Sequence, residues 1–208
     1  MTATKQNTLR KRWVIAPLLP NDVKHALRDY PPFLRQLLFN RGITSAEVAQ
    51  AYLGTESPTP TEPFLMLGMR DAIAIIEEAL QSGENITIYG DYDTDGVTAS
   101  SLLFEFFSQL GHEPRVYIPN RFDEGYGLNL DAIDFLSAEG TKLLITVDCG
   151  IRSLQEVQRA KELGMRVIVT DHHQPGDELP EADAVINPHQ PADPYPYKEL
   201  AGVGLAYK

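Results

Sequence analysis

A chain of 208 residues, 43% of them hydrophobic and 23% charged, is long enough to bury a core, and it has no apolar run near the roughly 18 residues a membrane span needs. Its net charge of −11 argues at first against a nucleic-acid partner, yet the charge is uneven: residues 1–41 hold eight Lys/Arg against two acids, and residues 42–208 hold ten against 27. The single cysteine, Cys149, excludes an internal disulfide and a multi-cysteine zinc site, and the polar start MTATKQNTLRKRW lacks the apolar segment of a secretory signal, so a soluble cytoplasmic protein is expected.

Residues 1–80 read as a helical N-terminal extension. "PPFLRQLLFNRG" (31–42) has prolines at its start and Gly42 just past its end, the asymmetry of a short helix. Thr44 and Glu47 are spaced as a capping box ahead of "VAQAYL". "GTESPTPTEP" (54–63) reads as a linker, because its prolines cannot continue a helix. "MRDAIAIIEEALQSG" has helical periodicity and ends at Gly83.

From Asn85 onward the pattern alternates. The strand "NITIYG" is followed by the helix "GVTASSLLFEFFSQLG", the strand "RVYI", the helix "LDAIDFLSAEG" and the strand "KLLITV". The helix "SLQEVQRAKELG" and the strands "RVIVT" and "DAVIN" complete the series. Ser153 and Glu156 are spaced as a second capping box, and Gly111, Gly140 and Gly164 stand where helices end. This order predicts an α/β fold over 81–208, a parallel β-sheet flanked by helices and joined by right-handed crossovers.

In such sheets ligands bind outside the carboxyl ends of the strands. "TIYGDYDTDG" (87–96) delivers Asp91, Asp93 and Asp95 there, "KLLITV" delivers Asp148, and "RVIVT" delivers Asp171, His172 and His173. Carboxylates about 5 Å apart repel by roughly 3 kcal/mol per pair at an effective dielectric of about 20, so solvent, protonation or a cation must offset the crowding. Carboxylates mixed with imidazole, with no thiolate, suit Mn²⁺ or Mg²⁺ better than zinc. So many carboxylates exceed the needs of one ion and fit a two-metal site, with Asp148 the candidate bridge; phosphoester hydrolysis is the chemistry such a pair serves. An EF-hand calcium loop starting at Asp91 would need glutamate at its twelfth position, where Leu102 stands.

Three stretches, "YGDYDTDG", "TVDCGI" and "TDHHQPGDELPEADAVINPH", resemble the successive motifs of the DHH phosphoesterases. "PNRFDEGYGL" (119–128), "LAGVGLAYK" (200–208) and the "FLRQLLFNRGITSAEVAQAYL" region resemble the RecJ-type branch of that family, which degrades single-stranded DNA. By that resemblance Asp93, Asp95, Asp148 and His172 match metal ligands, with Asp91 a further ligand or outer partner. It implies that His173 faces the scissile phosphate and that Asp171 orients an imidazole from behind. It places Arg121 on a strand-end phosphate and Tyr126 against a base.

The resemblance thus implies a metal-dependent exonuclease acting 5′ to 3′ on single-stranded DNA in repair and recombination, with two divalent cations. It also implies a fourth acidic motif beyond the "AGVG" segment, so that a chain stopping at Lys208 would turn over poorly. Two alternatives stay open: a phosphoesterase of small esters or short oligonucleotides, and an inactive replication scaffold of the same fold. The basic arm at 5–12 reads first as a disordered tail and second as a DNA contact.

Overall fold

A computed structural model describes residues 14–54 and 62–208. The basic arm and most of the proline-rich linker lie outside the described residues. The chain divides into two compact units, Met1–Pro60 and Thr61–Lys208.

In the first unit, helices α1 (Asn21–Ala26), α2 (Pro32–Asn40) and α3 (Ala46–Leu53) enclose a small core of Leu19, Val23, Leu27, Leu38, Ile43 and Ala49. Proline stands at the start of α2, where a missing N–H costs nothing, and Gly42 takes a positive φ of 77° beyond its end. The expected box on Thr44 does not form. Helix α3 is capped one residue later by Ser45, whose Oγ accepts from Val48 N at 3.3 Å. Ser45 has the extended backbone a capping side chain needs (φ −120°, ψ 156°), and in that register Glu47 falls one residue short of the box position.

The second unit is the predicted α/β fold. Strands β1 (Ile86–Gly90), β2 (Arg115–Tyr117), β3 (Leu143–Val147), β4 (Arg166–Thr170) and β5 (Ala184–Ile186) form one parallel sheet in the order β2-β1-β3-β4-β5. Alternate residues face opposite ways. Ile86, Ile88, Leu143, Ile145, Val147 and Ile168 meet helices α4 (Met69–Ser82), α5 (Thr94–Gln109) and α8 (Gly202–Tyr207) on one face. Tyr89, Leu144, Val167 and Val169 meet α6 (Leu130–Ala138) and α7 (Leu154–Glu162) on the other. The expected Ser153 box at the start of α7 is absent: Ser153 has ψ 63°, out of the extended conformation, and its side chain caps nothing. No helix of the described residues is long and apolar enough to cross a membrane.

The sequence placed the division between the helical extension and the sheet unit at 80/81, with α4 in the extension. The structure moves it to 60/61, because Met69, Ala72 and Ala79 of α4 are buried against Ile86, Ile88, Ala184 and Ile186. The entry to α4 is tight. Gly68 has φ 77°, and a Cβ there would lie 2.3 Å from the Val185 carbonyl oxygen. Gly68→Ala is therefore expected to destabilise the fold by roughly 2–4 kcal/mol, combining left-handed strain with overpacking. Denaturant melts check this; a loss below about 1 kcal/mol would show that the segment relaxes freely.

Two features of this sheet gather polar side chains at one end of it. The chain runs from β1 to β2 on one side and returns across to β3 on the other, so the strand order reverses between β1 and β3, the usual place for a crevice. The register then pairs Gly90 with Val147, Val147 with Thr170, and Thr170 with Ile186. The next residue of each strand is polar, so Asp91, Asp148, Asp171 and Asn187 stand side by side along one edge.

Candidate metal centre

All four residues of that row are buried, at 2%, 1%, 1% and 0% exposure. Unpaired polar groups at such depth are costly, so each must be accounted for. Asn187 is fully used: its amide donates to the His173 carbonyl at 2.9 Å and its oxygen accepts from His189 N at 2.8 Å. Asp171 is used as well. Its Oδ2 accepts from Ile151 N at 3.0 Å, and its Oδ1 accepts from His173 N at 3.0 Å and lies 2.7 Å from His173 Nδ1. Asp91 Oδ1 accepts from Tyr92 N at 2.7 Å, and burial, ahead of repulsion from Asp93, pushes its carboxyl above the usual range.

Asp148 is the exception. Its Oδ1 is buried and accepts no hydrogen bond, although His172 Nε2 stands 3.0 Å away. Burial first, then the charges of Asp95 and Asp93, pushes its carboxyl up to about 7. The residue also sits in the left-handed region, at φ 61°, which few residues other than glycine, asparagine and aspartate tolerate. The orphaned oxygen is thus aimed by strained backbone into a cluster of other donors.

Two groups meet at Asp148. Asp91, Asp93 and Asp148 each bring an oxygen within 4.8 Å of the others, and Asp148, His172 and His173 do the same with oxygen and nitrogen. Asp93 stands at the N-cap of α5, where its Oδ1 accepts from Asp95 N at 2.8 Å and Gly96 N at 3.1 Å. Gly96 has to be glycine, since a Cβ would lie 2.5–2.7 Å from the Asp91 backbone. The donor set contains only carboxylates and imidazoles, has an unsatisfied buried oxygen at its centre, and shares that residue between two pockets. Such a set fits hard divalent cations, and the sharing fits a pair of them.

The structure also places the other residues singled out in the sequence. Asp95 belongs to neither donor group. Its two oxygens accept from Val203 N and Gly202 N, each at 2.7 Å, at the start of α8, and its Oδ2 is 3.5 Å from His172 Nε2. Tyr126 lies beside His173, with its hydroxyl 3.4 Å from Nδ1 and ring centroids 6.0 Å apart. Arg121 stacks over Tyr92, its guanidinium carbon 5.1 Å from the ring centroid, and Tyr92 meets Tyr126 edge-on at 6.3 Å. A strip of rings therefore leads from the donor groups out to Arg121. Cys149 is buried, its Sγ 3.8 Å from the Tyr89 carbonyl, and burial pushes its thiol well up, which suits packing beneath the site.

Sequence reasoning missed Asn187, Gly202 and Tyr92. Asn187 carried the same signal as the aspartates, a polar residue directly after the apolar run "AVI". Tyr92 lay unremarked between two of them. Gly202 stood inside the "AGVG" stretch, but nothing local marked its role, which lies in what faces it across the fold.

The DHH family, N-terminal domain, matches residues 85–208. The single-stranded-DNA-specific exonuclease RecJ of Bacillus subtilis (strain 168) is 47% identical over 177 residues, which take in 85% of this chain and 22% of that protein. Its Escherichia coli (strain K12) counterpart is 41% identical over 180 residues, 86% of this chain and 30% of that protein. The crystal structure of RecJ in complex with Mn²⁺ from Thermus thermophilus superposes with a TM-score of 0.68 at 32% identity, over 94% of this chain and 27% of that one. A crystal structure of exonuclease RecJ bound to manganese gives 0.65 at 37% identity, over 71% and 37%. The chain spans about a fifth to a third of the length of these curated relatives. The matched segment opens just before β1, runs through α8 and takes in every strand end that carries a donor; this chain belongs to the DHH family.

Proposed function

We propose that this chain forms the metal-binding front of a RecJ-type exonuclease, which degrades single-stranded DNA from its 5′ end during repair and recombination in the cytoplasm. The observation that carries the reading is Asp148: a buried carboxylate with an unsatisfied oxygen, shared by an all-carboxylate pocket and a carboxylate–imidazole pocket. The relatives, named as exonucleases specific for single-stranded DNA, and the RecJ structures solved with manganese support the substrate and the metal.

Two divalent cations, Mn²⁺ or Mg²⁺, held by Asp91, Asp93, Asp148 and His172, with Asp95 at the rim, would polarise the phosphodiester and supply hydroxide at neutral pH. The chain's own residues do the rest. Asp171 holds the ring of His173, whose Nε2 would meet a phosphoryl oxygen as a hydrogen-bond donor and so favour its developing charge. Arg121 offers its planar fork of donors to the terminal phosphate, and Tyr126 offers a face to a base without regard to sequence. The helical unit of residues 14–54 is read as accessory to this chemistry.

The test uses a protein of the relatives' length that carries this segment, with 5′-labelled and 3′-labelled single strands and a blunt duplex. Labelled mononucleotide is expected to leave first from the 5′-labelled single strand, in Mn²⁺ or Mg²⁺ and not in EDTA, with the duplex untouched. Release that persists in EDTA, or that proceeds equally from duplex, ends the proposal.

A further inference from the structure

The loop between β2 and α6 carries both Arg121 and Tyr126, and one side chain inside it has no assigned task. Glu124 is half-buried and its carboxylate is surrounded by donors. Its Oε2 accepts from Asn120 N at 2.7 Å, and Glu124 N donates back to the Asn120 carbonyl at 2.9 Å, closing a ring whose span contains Arg121. Its Oε1 accepts from the Tyr117 hydroxyl at the end of β2 and from Asn129 Nδ2 at 3.3 Å, where Asn129 caps α6. Asn129 also reaches the Tyr89 hydroxyl at 3.3 Å, and that hydroxyl donates to the Gly127 carbonyl at 3.0 Å, beside Tyr126. The Glu124 carboxylate therefore ties the loop to β2 and to the cap of α6, while Tyr89 of β1 holds the Gly127 end separately. Phe122 and Tyr126 on either side of it remain exposed, so beyond the ring contacts of Arg121 and Tyr126 no core packing holds the loop's outer part.

We propose that Glu124 is a positioning residue for strand binding, the clamp that holds Arg121 and Tyr126 in the spacing at which they meet the substrate. The inference rests on the strand-binding reading of those two residues given above. An ionised carboxylate suits the task because each of its hydrogen bonds is charge-assisted, and its Asn120 and Tyr117 donors hold its pKa below the usual range. Asp123, exposed on the same turn, serves as the control.

The test compares Glu124→Ala, Glu124→Gln and Asp123→Ala in the full chain by three measurements. These are the rate of tryptic cleavage after Arg121 without DNA, affinity for a 5′-phosphorylated oligothymidylate, and affinity for Mn²⁺. Losing one to two charge-assisted bonds, Glu124→Ala is expected to raise cleavage after Arg121 and lower oligonucleotide affinity by about tenfold each, with Mn²⁺ affinity unchanged. Glu124→Gln keeps an acceptor for Tyr117 and Asn129 but offers only donors to Asn120 N, so it is expected to fall between. Asp123→Ala is expected to match the unmodified chain. Cleavage and oligonucleotide affinity left unchanged in Glu124→Ala overturn the proposal. An unmodified chain that ignores the oligonucleotide overturns the strand-binding reading alone, and faster cleavage in Glu124→Ala then still supports the clamp. Should Glu124→Ala not fold, Tyr117→Phe removes one donor from the same carboxylate, and unaltered cleavage in it overturns the clamp.

Discussion

Asp148→Asn is expected to stabilise the metal-free protein at pH 8 while abolishing its response to Mn²⁺. In the folded chain the Asp148 carboxyl is pushed up to about 7 from its ordinary value of 3.8, so folding favours its protonated form. A group with a raised folded pKa weighs against the fold once both states are ionised. The contribution of Asp148 is therefore most favourable below about pH 4, falls as the pH rises towards 7, and is flat above, its full loss being roughly 4 kcal/mol. Asparagine removes that loss, keeps the shape, and is among the few residues suited to the left-handed backbone there. The variant should thus melt several degrees above the unmodified chain at pH 8 and level with it at pH 4, both in EDTA. A neutral amide is a poor ligand for a hard cation, so added Mn²⁺ should raise the melting temperature of the unmodified chain and leave the variant where it was. Equal stabilisation of both proteins by Mn²⁺ would remove Asp148 from the centre of the site.

Gly202→Ala has the second large effect, and its sign is diagnostic. Alanine replacing glycine in a helix normally stabilises by up to about 1 kcal/mol. Here the new Cβ would lie 2.7 Å from Asp148 Cβ and Oδ1 and 2.8 Å from its Cγ. Helix α8 must retreat, taking with it the Gly202 and Val203 N–H groups that hold Asp95. Charge-assisted bonds of that kind contribute about 1.5–3 kcal/mol each, so a net destabilisation of roughly 2–4 kcal/mol and a tenfold or greater loss of Mn²⁺ affinity are expected. Urea melts and Mn²⁺ titration check both figures. A stabilised variant with unchanged metal affinity would mean that α8 does not bear on the site.

The two variants separate what was legible in the sequence from what was not. Asp148 was visible as a carboxylate directly after an apolar run, and so were Asp91, Asp93 and the Asp171–His172–His173 triplet. Strands and helices of the α/β unit were visible for the same reason: periodicity and residue type belong to neighbours along the chain. The caps were less legible. Ser45 replaced Thr44, and Ser153 failed to cap, because a one-residue shift or a single ψ angle decides whether a hydroxyl reaches a helix end.

What the sequence determined by itself is the list of parts: a metal-type donor set, placed directly after apolar strands. Only the tertiary structure decided how those parts meet. The register that lines up Asp91, Asp148, Asp171 and Asn187, the transfer of α4 to the sheet unit, and the capture of Asp95 by amides 107 and 108 residues away are set by contacts between distant segments. The lifted pKa of Asp148 has the same origin, since burial and the approach of Asp95 and Asp93 are properties of the packed state that no local pattern encodes.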